Sequence, residues 1–176
     1  MPHGTQKTAL LDADGLYVRG VKLLAARGRA AAELERLLAP RAQSSAALRA
    51  ALARLREHGY LDDRRFAEAF ARYRREAEAW GPARCRRELG RRGVADALGA
   101  AAVAAAYGDS DEAALLAAYL RRKRLGRPET PAQTASLFRR LWHAGYSSAA
   151  IHTALRAWRL DPAWLDELDA LEPADE

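Results

Sequence analysis

The sequence predicts an all-α fold: three tandem three-helix repeats forming an elongated, curved helical solenoid. Three observations carry this. Apolar residues recur at steps of three, four and seven along nearly all of the 176-residue chain, and no run alternates at the two-residue period of a strand. A short element, Leu-x-x-x-Gly followed by an aliphatic or aromatic residue, occurs at Leu55–Tyr60, Leu89–Val94 and Leu141–Tyr146. Gly93 and Gly145 lie 52 positions apart, and 51 positions before Gly93 the stretch Leu38-Ala39-Pro40-Arg41-Ala42 has the same layout with Ala for Gly. A unit of about 50 residues buries too little alone and is stabilised by stacking on its neighbours.

The helices follow in order. Asp12 and Asp14 open the first, striped by Tyr17, Val21 and Leu24; the second carries Leu34, Leu37 and Leu38; the third carries Leu48, Leu52 and Leu55 and ends before Gly59. Asp62-Asp63 open the fourth, with Phe66, Phe70, Tyr73 and Ala77 on one face. Gly81-Pro82 starts a fifth over 82–92, because a proline in the first turn lacks only an N–H that has no helical partner, and its core side carries Cys85 and Leu89. A sixth spans 95–107 up to Gly108, and Asp111-Glu112 open a seventh over 110–125, ended by Gly126-Arg127-Pro128. An eighth covers 132–144, and Ile151, Leu155 and Trp158 mark the ninth. Asp accepts a backbone N–H at a helix start and offsets the dipole there, while Gly past a helix end takes the left-handed conformation at little cost. The apolar stripes are assigned to the core. This divides the chain into an N-terminal tail (1–13), repeats at 14–58, 59–108 and 109–160, and an acidic C-terminal tail (161–176).

Composition narrows the function. Hydrophobic residues are 49% and charged residues 30%, a balance that supports a folded core. No stretch reaches the roughly 20 apolar residues of a membrane span and no secretory pattern opens the chain, so the expectation is a cytoplasmic protein with no membrane partner. The single cysteine, Cys85, forms no internal disulfide and has no second Cys or spaced His for a zinc site, so neither metal nor cofactor is expected. Seven acids and no Lys or Arg follow Leu160, leaving 29 basic residues against 16 acids in residues 1–160, a net of +13. Such a body suits a polyanionic partner, nucleic acid or an acidic protein surface. Of the basic residues 26 are Arg, which suits bidentate contacts, although a GC-rich genome gives the same bias.

Three basic groups are candidates for contact. Arg84, Arg87 and Arg91 step by three and four, a stripe about 60° wide with Glu88 beside it as an ion-pair partner at i,i+4 or i,i+3. Arg64, Arg65, Arg72, Arg74 and Arg75 run along the fourth helix; Arg121, Arg122, Lys123, Arg124 and Arg127 close the seventh, where the helix dipole alone favours cations. Such guanidiniums fork onto carboxylates or phosphates, and taken alone they read as a solvated face. His58, His143 and His152 have no neighbouring Ser, Cys or carboxylate pattern for acid–base or nucleophilic work and read as surface histidines. No Gly-rich phosphate loop follows a strand. No catalytic residue, and no enzyme, is expected. Around Trp164, Leu165 and Leu168 the acidic end permits a short helix after Pro162; it reads as a solubilising tail or as a segment that folds over the basic surface and competes with the partner.

The middle repeat carries a resemblance. Gly59-Tyr60-Leu61-Asp62-Asp63-Arg64-Arg65-Phe66-Ala67-Glu68-Ala69-Phe70, followed by Gly81-Pro82-Ala83-Arg84-Cys85-Arg86-Arg87-Glu88-Leu89-Gly90-Arg91-Arg92-Gly93-Val94, resembles the signature of the RecX family, bacterial regulators of the RecA recombinase. The likeness extends more loosely from Tyr17 to Trp158, through Leu23-Leu24, Arg27, Glu33-Leu34 and Leu141-Trp142-His143-Ala144-Gly145-Tyr146-Ser147. Cys85 departs from the family's usual Ile, Ala30 or Ala31 replaces the Ser or Thr opening the second helix, and the first α2–α3 turn lacks Gly. The Ala-for-Ser change is expected to weaken an N-cap by about 1 kcal/mol. The resemblance implies a monomeric, non-enzymatic protein acting in recombination, DNA repair and the SOS response. It implies binding in the groove of the RecA–DNA filament and suppression of ATP hydrolysis, strand exchange and filament growth, with single- or double-stranded DNA as a further partner. It tips the three basic groups toward contact. The alternative is a sequence-independent helical DNA-binding protein that competes with RecA for the strand; a helical scaffold for another protein is a third class.

Overall fold

The structure, a computed structural model, describes residues 9–108 and 110–168. These residues form ten α-helices: α1 (Ala13–Ala26), α2 (Ala31–Leu38), α3 (Ser45–Glu57), α4 (Asp63–Glu78), α5 (Pro82–Arg91), α6 (Asp96–Tyr107), α7 (Glu112–Lys123), α8 (Pro131–His143), α9 (Ser148–Ala157) and α10 (Pro162–Asp166). One 3-10 turn, Ala39–Arg41, follows α2. The first nine match the nine predicted helices, and α10 is the short helix after Pro162.

Short polar side chains start most of them. Asp12 accepts from Gly15 N, Ser44 from Ala47 N, Asp62 from Arg65 N, Asp111 from Ala113 N, Thr130 from Gln133 N and Ser147 from Ala150 N, all at 2.8–3.2 Å. The three Leu-x-x-x-Gly elements end their helices alike. Tyr60 N donates to Leu55 O, Val94 N to Leu89 O and Tyr146 N to Leu141 O, with a tighter bond inside each from Gly59, Gly93 and Gly145. The three glycines have φ of 69°, 84° and 91°, as the Schellman motif requires. Ala42 does not join them. Its φ of −80° and ψ of 134° are extended, and the chain passes through the 3-10 turn into a bridge in which Leu11 N donates to Arg41 O and Gln43 N to Leu11 O. Alanine pays a steric penalty in the left-handed region that glycine avoids, so the turn takes another route.

The chain divides into two compact bodies, one of residues up to Ala67 with Leu89–Gly99, the other of Glu68–Glu88 with Ala100 onward. In the first, α1 packs along α3, and α2 closes a core of Leu16, Leu34, Leu38, Leu48, Leu52, Leu55 and Leu61. Gly20 permits the α1–α3 approach, since a Cβ there would lie 2.6 Å from Leu55 Cδ1. In the second, α7 packs on α9 and, with α8 and α10, encloses Leu116, Phe138, Leu141, Tyr146, Ile151 and Leu155. Leu165 and Leu168, just inside the acidic C-terminal segment, belong to this same core.

Three stripe assignments change. Leu37 is exposed, because α2 is buried along Ala31, Leu34 and Leu38, and Leu37 lies at the far edge of that row. On α1 the deepest positions are Leu16 and Gly20, with Tyr17, Val21 and Leu24 half-buried. Tyr73 is 57% exposed: α4 is buried through Ala67 and Ala71, small residues that leave Phe66 and Phe70 half-covered and Tyr73 outside.

Candidate interaction surface

Helix α5 is held at its start by backbone. Gly81 N donates to Ala144 O and Ala83 N to Gly145 O, so the Gly81-Pro82 corner lies directly on the turn that follows α8. Neither glycine has room for a side chain: a Cβ on Gly81 would fall 2.1 Å from Gly145 O, and one on Gly145 2.3 Å from Arg84 N. Cys85 and Leu89 are fully buried on the inner face. Burial pushes the Cys85 thiol up to about 11, against a smaller opposing effect of its hydrogen bond with Tyr107. Tyr107, whose hydroxyl donates to Trp80 O at 3.1 Å, is itself raised above its usual range by the same burial.

The outer face of α5 carries Arg84, Arg87 and Arg91. The Arg84 guanidinium lies 3.8 Å from the centre of the Trp80 ring, and Arg87 donates to His143 O at 3.3 Å. Among the described residues neither Arg84 nor Arg91 forms an ion pair, so the expected pairing with Glu88 is not made by either. Stacking uses the flat face of a guanidinium and leaves its edge donors outward.

The predicted site arginines fall into rows rather than one ridge. On α4, Arg65 and Arg72 share one side and Arg64 and Arg75 another. Arg72 and Arg75 flank an open groove of about 260 Å³ with Glu68, Glu76 and alanines of α6, while Arg64 lines another with Arg56, Asp62 and Asp63. Arg65 donates to Gly59 O at 2.5 Å. Arg121, Arg122 and Lys123 close α7, and Arg124 adopts φ 52° at its cap. None of Arg64, Arg65, Arg72, Arg75, Arg84, Arg87, Arg91, Arg121, Arg122 or Arg124 has an ion-pair partner among the described residues. The arginines that do are others. Arg27, Arg29 and Arg92 converge on Glu33, Arg54 meets Asp14, and Arg74 meets Glu78. The structure thus separates Arg74 from its neighbours on α4 as an internal residue.

Family-motif residues are placed mainly as architecture. Leu61 and Leu89 are core, Gly59 and Gly93 are helix ends, Pro82 opens α5, and Phe66 packs against Gly28. Asp62 caps α4, Asp63 accepts from Ala31 N, Glu88 is half-buried, and Tyr60 stands exposed. His152 is buried against the edge of Phe138, correcting its reading as a surface residue. Sequence reasoning passed over Trp80, which sits between two Arg-rich runs just before Gly81-Pro82; that position was the available signal.

Comparison with known proteins draws these features together. A sequence model of the second three-helix domain of RecX matches residues 62–103, covering α4, α5 and most of α6. The regulatory protein RecX of Pseudomonas entomophila is 38% identical over 146 residues, 82% of this chain and 92% of that protein. The chain belongs to the RecX family. The RecX of Stenotrophomonas maltophilia is 36% identical over 82% of this chain and 85% of its own length. The crystal structure of RecX from Lactobacillus salivarius shares the fold, with a TM-score of 0.70 at 18% identity over 85% of this chain and 98% of that one. RecX relatives are regulatory proteins by name, and the Gly81–Gly145 corner lies within the stretch that resembles them. No helix among the described residues is long and apolar enough to cross a membrane, and no cluster of three metal-ligating side chains occurs among them.

Proposed function

We propose that this RecX-family chain is a non-enzymatic inhibitor of the RecA recombinase, acting in the cytoplasm as a monomer during recombination, repair and the SOS response. It binds in the groove of the RecA–DNA filament and suppresses ATP hydrolysis, strand exchange and filament growth. One observation carries the reading: among the described residues ten arginines on α4, on α5 and at the end of α7 have no ion-pair partner, whereas Arg74, in the same basic run of α4, is held by Glu78. Unpaired guanidiniums retain their forked donors for acidic loops or phosphates, and their field speeds encounter with a polyanionic filament.

The test is co-sedimentation with RecA-coated and with naked single-stranded DNA. Arg84, Arg87 and Arg91 changed together to Ala weaken binding to the coated strand at least tenfold, while Arg49→Ala leaves it unchanged. Unaltered binding of the triple variant overturns the assignment. A second reading, competition with RecA for the strand itself, is favoured by the equal fit of these forks to phosphate. It predicts tighter binding to naked than to coated DNA.

A further inference from the structure

Among the described residues Tyr73 is the most exposed of the large apolar side chains at 57%, and it stands in the otherwise basic run Arg72-Tyr73-Arg74-Arg75. Its surroundings are built from the same chemistry. The Arg74 guanidinium lies 5.6 Å from the Tyr73 ring centre, 4.9 Å from Phe70 and 4.4 Å from Trp80, and Arg84 covers Trp80 at 3.8 Å. Phe70 and Trp80 meet edge to face at 6.3 Å. Three rings and two cations therefore form one contiguous cluster, fixed on one side by the Arg74–Glu78 pair. Residues 70–87 carry six arginines against two glutamates, one of which is already committed to Arg74.

We propose that Tyr73 is a stacking platform for a base of single-stranded nucleic acid, with Arg72 and Arg84 taking the phosphates beside it. An exposed ring backed by cations matches a base, which is flat, polarisable and flanked by negative charge; a carboxylate surface has no use for the ring face. Trp80 cannot serve, because two guanidiniums lie close over it at 4.4 and 3.8 Å, against one at 5.6 Å from Tyr73. Tyr60, the other exposed tyrosine, lies two residues before the acidic pair Asp62-Asp63 and packs edge-on against Tyr17, so its setting repels phosphate. The inference deepens the filament reading by naming which strand component the protein grips.

The experiment is fluorescence anisotropy of a labelled oligothymidylate of about 15 nucleotides, and of an abasic oligomer of the same length, without RecA. Tyr73→Ala weakens oligothymidylate binding about tenfold, Tyr73→Phe changes it by less than about twofold, and abasic binding is unaffected by either. Tyr60→Ala leaves binding of both oligomers unchanged. The proposal is overturned if wild-type protein does not bind the oligothymidylate, if Tyr73→Ala weakens the abasic oligomer equally, or if Tyr73→Phe is as damaging as Ala. It is likewise overturned if Tyr73→Ala weakens binding to the RecA filament alone, since the ring then contacts protein. Failure of wild-type protein to inhibit RecA, with these oligomer results intact, removes the filament reading and leaves the stacking site.

Discussion

Asp63 Oδ1 accepts a hydrogen bond at 2.7 Å from the backbone N–H of Ala31, a residue 32 positions earlier at the start of α2. Ala30, the N-cap of that helix, offers no side-chain acceptor. The missing cap is supplied from the start of α4, where Asp62 caps the local helix and Asp63 is left to reach the older one. One pair of acids in the Gly-Tyr-Leu-Asp-Asp motif thus satisfies two helix ends, and the cost expected from Ala at position 30 is offset in tertiary structure.

Asp63→Ala accordingly destabilises the protein by about 1 kcal/mol in urea unfolding, and Asp63→Asn, which keeps an acceptor oxygen, recovers most of it. Equal losses in the two variants show that charge, not the cap, is what Asp63 provides.

The glycines separate by surroundings. Gly81→Ala and Gly145→Ala each cost more than about 2 kcal/mol, because a Cβ meets backbone at 2.1 and 2.3 Å and Gly145 is also left-handed. Gly90→Ala, within α5 with open space around it, stabilises by about 0.5–1 kcal/mol. Thermal melts of the three variants read the ordering directly.

Stability declines on the alkaline side. Cys85 moves from its ordinary 9.0 to about 11 in the fold, so between those values the unfolded chain releases a proton that the native state retains, and each step up in pH favours unfolding. Tyr107 and Tyr146, raised by burial from 10.0, extend the decline upward. Melting temperature is therefore flat below about pH 9 and falls above it, and Cys85→Ala flattens the first part of the fall. A profile identical in that variant removes Cys85 as the cause.

Truncation of the acidic end depends on where it begins. Removing 161–176 takes away Leu165 and Leu168, both core residues, and lowers stability by several kcal/mol, on the scale of about 2–5 for each buried leucine lost. Removing 169–176 leaves that core intact while deleting Asp169, Glu172, Asp175 and Glu176. If those acids compete with the partner, the shorter deletion strengthens oligonucleotide binding at low salt without changing the melting temperature. Unchanged affinity at low salt excludes competition.

Helix positions were legible because periodicity, Asp and Ser starts and Gly ends agree locally, and the three Schellman turns needed nothing beyond their own residues. What was not legible depends on partners distant in sequence. The 42 turn failed because Leu11 supplies the bridge that replaces a left-handed residue. Tyr73 failed because α4 turns its alanines inward, and no residue count along one helix shows which face a neighbour takes. Among the arginines, spacing marked the rows, but only tertiary structure separates Arg74, held by Glu78 and stacked on Trp80, from Arg72 and Arg75.

The most direct measurement is the DNA-dependent ATPase of RecA titrated with purified protein. A filament inhibitor gives a saturable fall in ATP hydrolysis, no hydrolysis by the protein alone, and inhibition that weakens as salt rises because ion pairs are screened and counterion release gains less. The Arg84, Arg87 and Arg91 triple variant shifts the curve to higher concentration. Full RecA activity under saturating wild-type protein contradicts the account.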